Sequence, residues 1–166
     1  MTIHYFAFGS NLSTPRLLER LPNAGITGVG ILREHKLCFR KNDSGQSGKC
    51  DIEYTGVVTD QVYGVLYYLT EAEKTELDVY ETAGFGYSDK MVPITTLDGG
   101  ILEAVTYYAL DIDALQQPYH WYKEHVIYGA REHNFPADYI VSIEAFESID
   151  DPDEERIMRE LAIYRS

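Results

Sequence analysis

The chain has 166 residues, 45% of them hydrophobic, and a formal charge of −13 from 27 acidic and 14 basic side chains. That length points to one domain whose core needs neither disulfides nor metal. The charge argues against a nucleic-acid partner, whose phosphates require clustered Lys and Arg, and no run of about 18 apolar residues argues for a membrane span.

Ile3 to Phe8 reads as a strand that stops at Gly9-Ser10-Asn11. A short helix, Pro15 to Leu21, follows, with Ser13 or Thr14 as its N-cap and proline in its first turn. Val29 to Phe39 alternates loosely and suits a strand or hairpin. Asn42 to Asp51 is polar, contains Gly45 and Gly48, and reads as a mobile loop. Thr55–Thr59 and Val62–Tyr68 flank Asp60-Gln61 as a hairpin. Thr70 and Glu73 have capping-box spacing and start a helix that runs to about Tyr80. Lys90–Thr96 and Leu102–Leu110 form a second hairpin about Asp98-Gly99-Gly100. After Pro118 the pattern is helical: Tyr119–Glu132, Pro136–Phe146, and a third helix opened by Asp151 as N-cap with Pro152 behind it. Strands first and helices last give an α+β fold around an antiparallel or mixed sheet.

The N-terminus enters the strand pattern without the basic, apolar and small-residue regions of a signal peptide. Cys38 and Cys50 lack Cys-x-x-Cys spacing, so both are expected as free thiols in a cytoplasmic protein, with a disulfide between them as the alternative.

Two segments can carry chemistry. In the first, the N–H groups of Gly9-Ser10-Asn11 offer a site for an anion or a developing oxyanion; an ordinary strand–turn–helix connection is the alternative. In the second, Glu81 falls at the end of its helix among Tyr80, Phe85 and Tyr87. A carboxylate there meets the negative end of the helix dipole and apolar neighbours, and both raise its pKa toward the range of a general acid/base; a solvated glutamate is the alternative. His120 and Glu124 share a helix face, but no third ligand accompanies them and a surface pair is the simpler reading. Ser10 lacks the context of a hydrolase nucleophile, and no phosphate-binding glycine motif is present.

Taken in order, these segments resemble the γ-glutamylcyclotransferase family. Tyr5-Phe6-Ala7-Phe8-Gly9-Ser10-Asn11-Leu12 is similar to that family's YFAYGSNL segment, Val62-Tyr63-Gly64-Val65-Leu66-Tyr67 to its VWGVVW strand, and Leu77-Asp78-Val79-Tyr80-Glu81 to its LDxxE segment. The likeness continues through Tyr122-Lys123 and Gly129-Ala130-Arg131-Glu132 to Pro136. It implies a small mixed β-barrel with flanking helices and a reaction without metal or organic cofactor. In that reaction the α-amine of a γ-glutamyl group attacks its own γ-carbonyl, giving 5-oxoproline and a free amine. By the same resemblance Glu81 is the acid/base, Tyr5, Phe6, Ala7, Phe8, Gly9, Ser10 and Asn11 form the substrate loop, and Tyr108 and Tyr122 are pocket tyrosines. Phe8 departs from the family's tyrosine and loses its hydroxyl. The Gly84-Phe85-Gly86 loop also differs, near where the leaving group would sit.

The expected partner is therefore a small γ-glutamyl substrate, with neither nucleic acid nor membrane involved, and the exposed strands admit a homodimer. Two other readings stay open: a different γ-glutamyl conjugate, carrier-bound or on a modified peptide, and a non-catalytic binding module on the same fold.

Overall fold

The computed structural model describes residues 1–165. Seven strands and five helices follow one another as β1 (Ile3–Ala7), α1 (Thr14–Arg20), β2 (Gly25–Arg33), β3 (His35–Asp43), β4 (Ser47–Tyr54), β5 (Gln61–Leu69), α2 (Glu71–Tyr80), β6 (Tyr87–Thr96), β7 (Ile101–Ala109), α3 (His120–Glu132), α4 (Ala137–Glu144) and α5 (Glu154–Leu161). A 3₁₀ turn, Ser10–Leu12, links β1 to α1.

Five strands close a barrel in the order β1-β5-β2-β6-β7. The closing contact, β1 on β7, is parallel, with Tyr5 opposite Val105, and the others are antiparallel. The fold is thus α+β around a mixed barrel. Closure leaves the barrel without unpaired edges. Its interior is apolar, with Phe6, Leu66, Ile94 and Ala104 almost fully buried, while Val65 and Tyr67 are buried on the barrel's outer face.

β3 and β4 form a separate two-stranded sheet over one end. This corrects the expected loop over Asn42 to Asp51. The polar stretch turns at Ser44 and Gly45, both at positive φ (54° and 72°), and pairs Lys41 with Lys49 and Asp43 with Ser47. Asp51 fastens the hairpin to the barrel by accepting the Ala109 N–H at 2.8 Å. The expected hairpin of Thr55–Thr59 with Val62–Tyr68 is also corrected. Gly56 turns at φ 68°, Thr55 Oγ1 donates to Asp60 at 2.7 Å, and β5 pairs instead with β1 and β2.

The caps explain where helices begin. Ser13 caps α1 and Thr70 with Glu73 forms the full capping box on α2. On α5 the cap is Asp153, not Asp151. Asp151 is drawn away by Trp121 Nε1 at 2.8 Å and by a two-pronged bond from Arg156, which holds its carboxyl down at about 2.

α3 seats the 3₁₀ turn. A Cβ on Gly129 would lie 2.3 Å from the Leu12 carbonyl carbon and 2.5 Å from the Ser13 nitrogen. Glycine there lets the helix touch the turn's main chain. Gly129→Ala is expected to cost about 1–3 kcal/mol through overpacking against backbone. Urea unfolding checks this as a lower midpoint at unchanged slope.

No helix among the described residues is long and apolar enough to cross a membrane. Nor do the described residues group three or more His, Cys, Asp or Glu as a metal would need. His120 turns from Glu124 toward Ser148 and Asp150. Cys38 and Cys50 are free thiols.

Candidate active site

The loop after β1, the end of α2 and the face of α3 converge on one recess. It is lined by Tyr5, Phe8, Gly9, Ser10, Asn11, Cys50, Glu81, Tyr87, Tyr107 and Tyr122. The two segments singled out in the sequence, 70 residues apart, therefore meet: Asn11 Nδ2 donates to Glu81 Oε1 at 3.3 Å.

Glu81 is held by how α2 ends. It is the C-cap residue. The Thr82 N–H donates to the Val79 carbonyl at 3.1 Å and the Ala83 N–H to the Asp78 carbonyl at 2.9 Å. These are the two bonds of a Schellman ending, with threonine where glycine is usual. Thr82 sits at φ 48°, an uncommon conformation for a β-branched residue. The chain tolerates this strain while keeping Glu81 aimed at the recess.

The electrostatics of Glu81 are mixed. Burial pushes its pKa up, and Arg20, Lys49, Arg16 and Lys41 pull it down, with burial the larger effect. A carboxyl raised above its ordinary value in this way is suited to take up a proton and release it again.

Asn11 organises the surrounding polar groups. Arg20 can only donate, so its 3.3 Å bond to Asn11 Oδ1 fixes which way the carboxamide faces. Both Nδ2 hydrogens are then used, one on Glu81 and one on the Tyr5 hydroxyl at 3.1 Å. The Tyr67 hydroxyl donates to the Asn11 carbonyl at 3.0 Å and pins the turn from beneath. Among the described residues, the N–H groups of Gly9, Ser10 and Asn11 have no protein acceptor, since the turn's own bonds begin with the Leu12 N–H on the Gly9 carbonyl.

The tyrosines differ in what their protons do. Tyr87 donates to the Cys50 carbonyl at 2.7 Å and Tyr107 to Asp78 at 2.6 Å, so both are committed. Tyr5 accepts from Asn11 and Tyr122 accepts from the Cys50 N–H at 3.0 Å. Each of those two keeps its own hydrogen for a ligand. Burial raises the pKa of both hydroxyls and of the Cys50 thiol, so they face the recess as neutral donors.

Three residues expected in the substrate site do not line the recess. Phe6 points to the barrel interior, where its ring would lie 2.4 Å from a Cβ on Gly64. Ala7 is covered. Tyr108 lies on the opposite face of β7 from Tyr107, beneath the Lys90 ammonium at 5.5 Å, because successive strand residues face opposite ways. Tyr87, placed beside Glu81 by the sequence, lines it too, whereas Tyr107 and Cys50, which also line it, carried no signal beyond belonging to aromatic or mixed strands.

A model of the AIG2-like family matches residues 61–143, half the chain, including Glu81 but not the Gly9 turn. Curated relatives named gamma-glutamylcyclotransferase, from Bos taurus and Homo sapiens, are each 29% identical over 153 residues, spanning 88% of this chain and 79% of theirs. A solved structure named gamma-glutamyl cyclotransferase superposes over the whole of both chains with a TM-score of 0.86 at 26% identity. A Homo sapiens protein described as uncharacterized gives 0.85 at 28% over 99% of each chain. With half its length matched by the family's model and the Glu81 segment inside the match, the chain belongs to the AIG2-like family.

Proposed function

We propose that the chain is a γ-glutamylcyclotransferase that converts a γ-glutamyl amino acid or amide into 5-oxoproline and the free amine. The observation that carries this reading is the pairing of Glu81, a carboxyl pushed up by burial, with Asn11 of the Gly9-Ser10-Asn11 turn across one recess. The names of its relatives support the same reaction class.

The steps balance without an added reactant. The α-ammonium of the substrate cannot attack, so Glu81 takes a proton from it. The amine nitrogen then bonds to the γ-carbonyl carbon and closes a five-membered ring. Charge that develops on the carbonyl oxygen is met by the free N–H groups of the turn, and the Tyr5 and Tyr122 hydroxyls hold the substrate's oxygens. Glu81 returns its proton to the leaving nitrogen as the amide C–N bond breaks, then takes the second proton from the ring nitrogen and passes it to the departing amine, which leaves as an ammonium and restores the carboxylate. One carboxyl serves both transfers because the proton lost at one nitrogen is the one needed at the other. Ring closure is intramolecular, so holding the glutamyl chain folded removes much of the entropic barrier.

The direct test is 5-oxoproline release from a panel of γ-glutamyl dipeptides, γ-glutamyl amines and glutathione. Release from at least one member is expected. Release from none, with the protein folded, overturns the proposal.

The pH profile carries a second expectation. Glu81 must start as carboxylate, so kcat/KM falls as acid protonates it, with a midpoint above the ordinary carboxylate value of about 4.3. The nearby cations favour the carboxylate. Removing one by Lys49→Met is expected to raise the Glu81 pKa and move the acid limb to higher pH. An acid limb that stays in place would detach Lys49 from the site.

A further inference from the structure

Acidic side chains outnumber basic ones in this chain by 27 to 14, yet one rim of the recess reverses the balance. Arg16 and Arg20 reach it from α1, Lys41 and Lys49 from the β3–β4 hairpin, with Asp43 and Glu81 as the acids beside them. This rim shares Ser10, Glu81, Tyr87 and Tyr122 with the recess itself, so the two spaces adjoin at the carboxyl.

The cations are not equally answered. Arg16 bonds Glu160 at 2.6 Å and Lys49 meets Asp43 loosely at 3.6 Å. Lys41 is 9% exposed, and among the described residues neither it nor Arg20 has a carboxylate within 4.0 Å. The Lys41 ammonium sits 5.4 Å over the Tyr87 ring, and the Arg20 guanidinium 5.0 Å over Tyr80. Lys41 and Lys49 are, moreover, direct cross-strand partners, an arrangement in which like charges oppose each other at a cost to the sheet. Buried charges are ordinarily paired, because desolvating a lone one is expensive. An anionic ligand would answer both the missing partners and the opposed charges.

Resting on the cyclotransferase reading, the location says which part of the substrate is anionic. The glutamyl moiety must place its amine and γ-carbonyl between the turn and Glu81. What departs then extends past Glu81 toward the rim. We propose that the rim is an anion subsite for the leaving group, read by Lys41 and Lys49, and that the preferred substrates are γ-glutamyl conjugates whose released amine carries two acidic groups, such as an acidic amino acid.

The test compares kcat/KM for γ-glutamyl-glutamate, γ-glutamyl-alanine and γ-glutamyl-methylamide, whose released amines carry two, one and no carboxylates. Wild type is expected to favour each added carboxylate by about tenfold, the scale of one charge-assisted contact, with the preference flattening at high salt. Lys41→Met keeps the apolar stem and removes the opposed charge, so it is expected to fold. Its loss on γ-glutamyl-glutamate should exceed its loss on the methylamide by about tenfold on the same scale. γ-Glutamyl-taurine, with a sulfonate, tells whether the rim reads carboxylate or any anion. Equal kcat/KM across the three, or equal losses in the variant, would overturn the inference. If no conjugate turns over, the cyclotransferase reading fails instead, and calorimetric titration with citrate decides the rim alone. Binding by wild type that weakens in Lys41→Met sustains the anion subsite; no binding, or equal binding, ends it.

Discussion

Glu81→Gln is expected to lower kcat by about 10²–10⁴-fold, the usual worth of a positioned acid/base, while KM and the fold change little. Glutamine is nearly isosteric, and its carbonyl can still accept the 3.3 Å bond from Asn11. What it cannot do is carry a proton from one nitrogen to the other. Stability provides the control. Burial raises the Glu81 pKa in the folded state, so folding favours the protonated carboxyl. That contribution is present at low pH and is lost as pH rises through the folded pKa. At neutral pH the carboxylate is therefore a burden that glutamine lacks, and the variant's Tm at pH 7 should equal or exceed that of wild type. An inactive variant with an unchanged or higher Tm separates chemistry from folding. Retained activity would remove Glu81 from the mechanism.

Gly9→Val is expected to act through the turn. A Cβ at position 9 would lie 2.8 Å from Cys50 Cβ, 3.3 Å from its sulfur and 3.4 Å from the Tyr122 hydroxyl. Cys50 cannot retreat easily, because Tyr87 holds its carbonyl at 2.7 Å and Tyr122 its N–H at 3.0 Å. The turn must move instead, taking the three free N–H groups away from the carbonyl they are proposed to receive. A displacement near 1 Å at such a site costs on the order of 10²-fold in kcat/KM. Gly9→Ala should fall between the two. Steady-state kinetics beside a thermal melt checks this. Normal kcat and KM in the valine variant would take the turn out of the site.

Local chemistry made much of this arrangement legible in the sequence. Thr70 and Glu73 cap α2, Ser13 caps α1, and the abrupt stop at Gly9 marks the turn, because each of these is decided within a few residues. Glu81 at the end of α2 followed from the length of its helix. The β3–β4 hairpin was illegible for a physical reason. Its polar, glycine-containing stretch offers little apolar alternation, and its pairing is fixed by contacts far along the chain, such as the Asp51 carboxylate on the Ala109 N–H. With the hairpin went Lys41, Lys49 and Cys50, and so the half of the cationic rim that α1 does not supply. Tyr107 and Tyr108 differ by one step of strand phase. Composition cannot say which faces the recess; the register of β7 on β6, with Asp89 opposite Tyr107, does. Asp151 looked like a cap because it precedes a proline and two further acids. Its capture by Trp121 and Arg156 depends on how α5 packs on α3.

The central claim is that the substrate's own amine is the nucleophile and Glu81 its proton carrier. Product analysis tests it most directly, using γ-glutamyl-alanine beside its α-N-acetyl derivative with wild type and Glu81→Gln. The account predicts 5-oxoproline and alanine in equal amounts from the free-amine substrate with wild type, no free glutamate, no turnover of the acetylated form, and turnover by the variant lowered by about 10²–10⁴-fold. Glutamate as product, or release of alanine from the acetylated substrate, would show attack by water and contradict it.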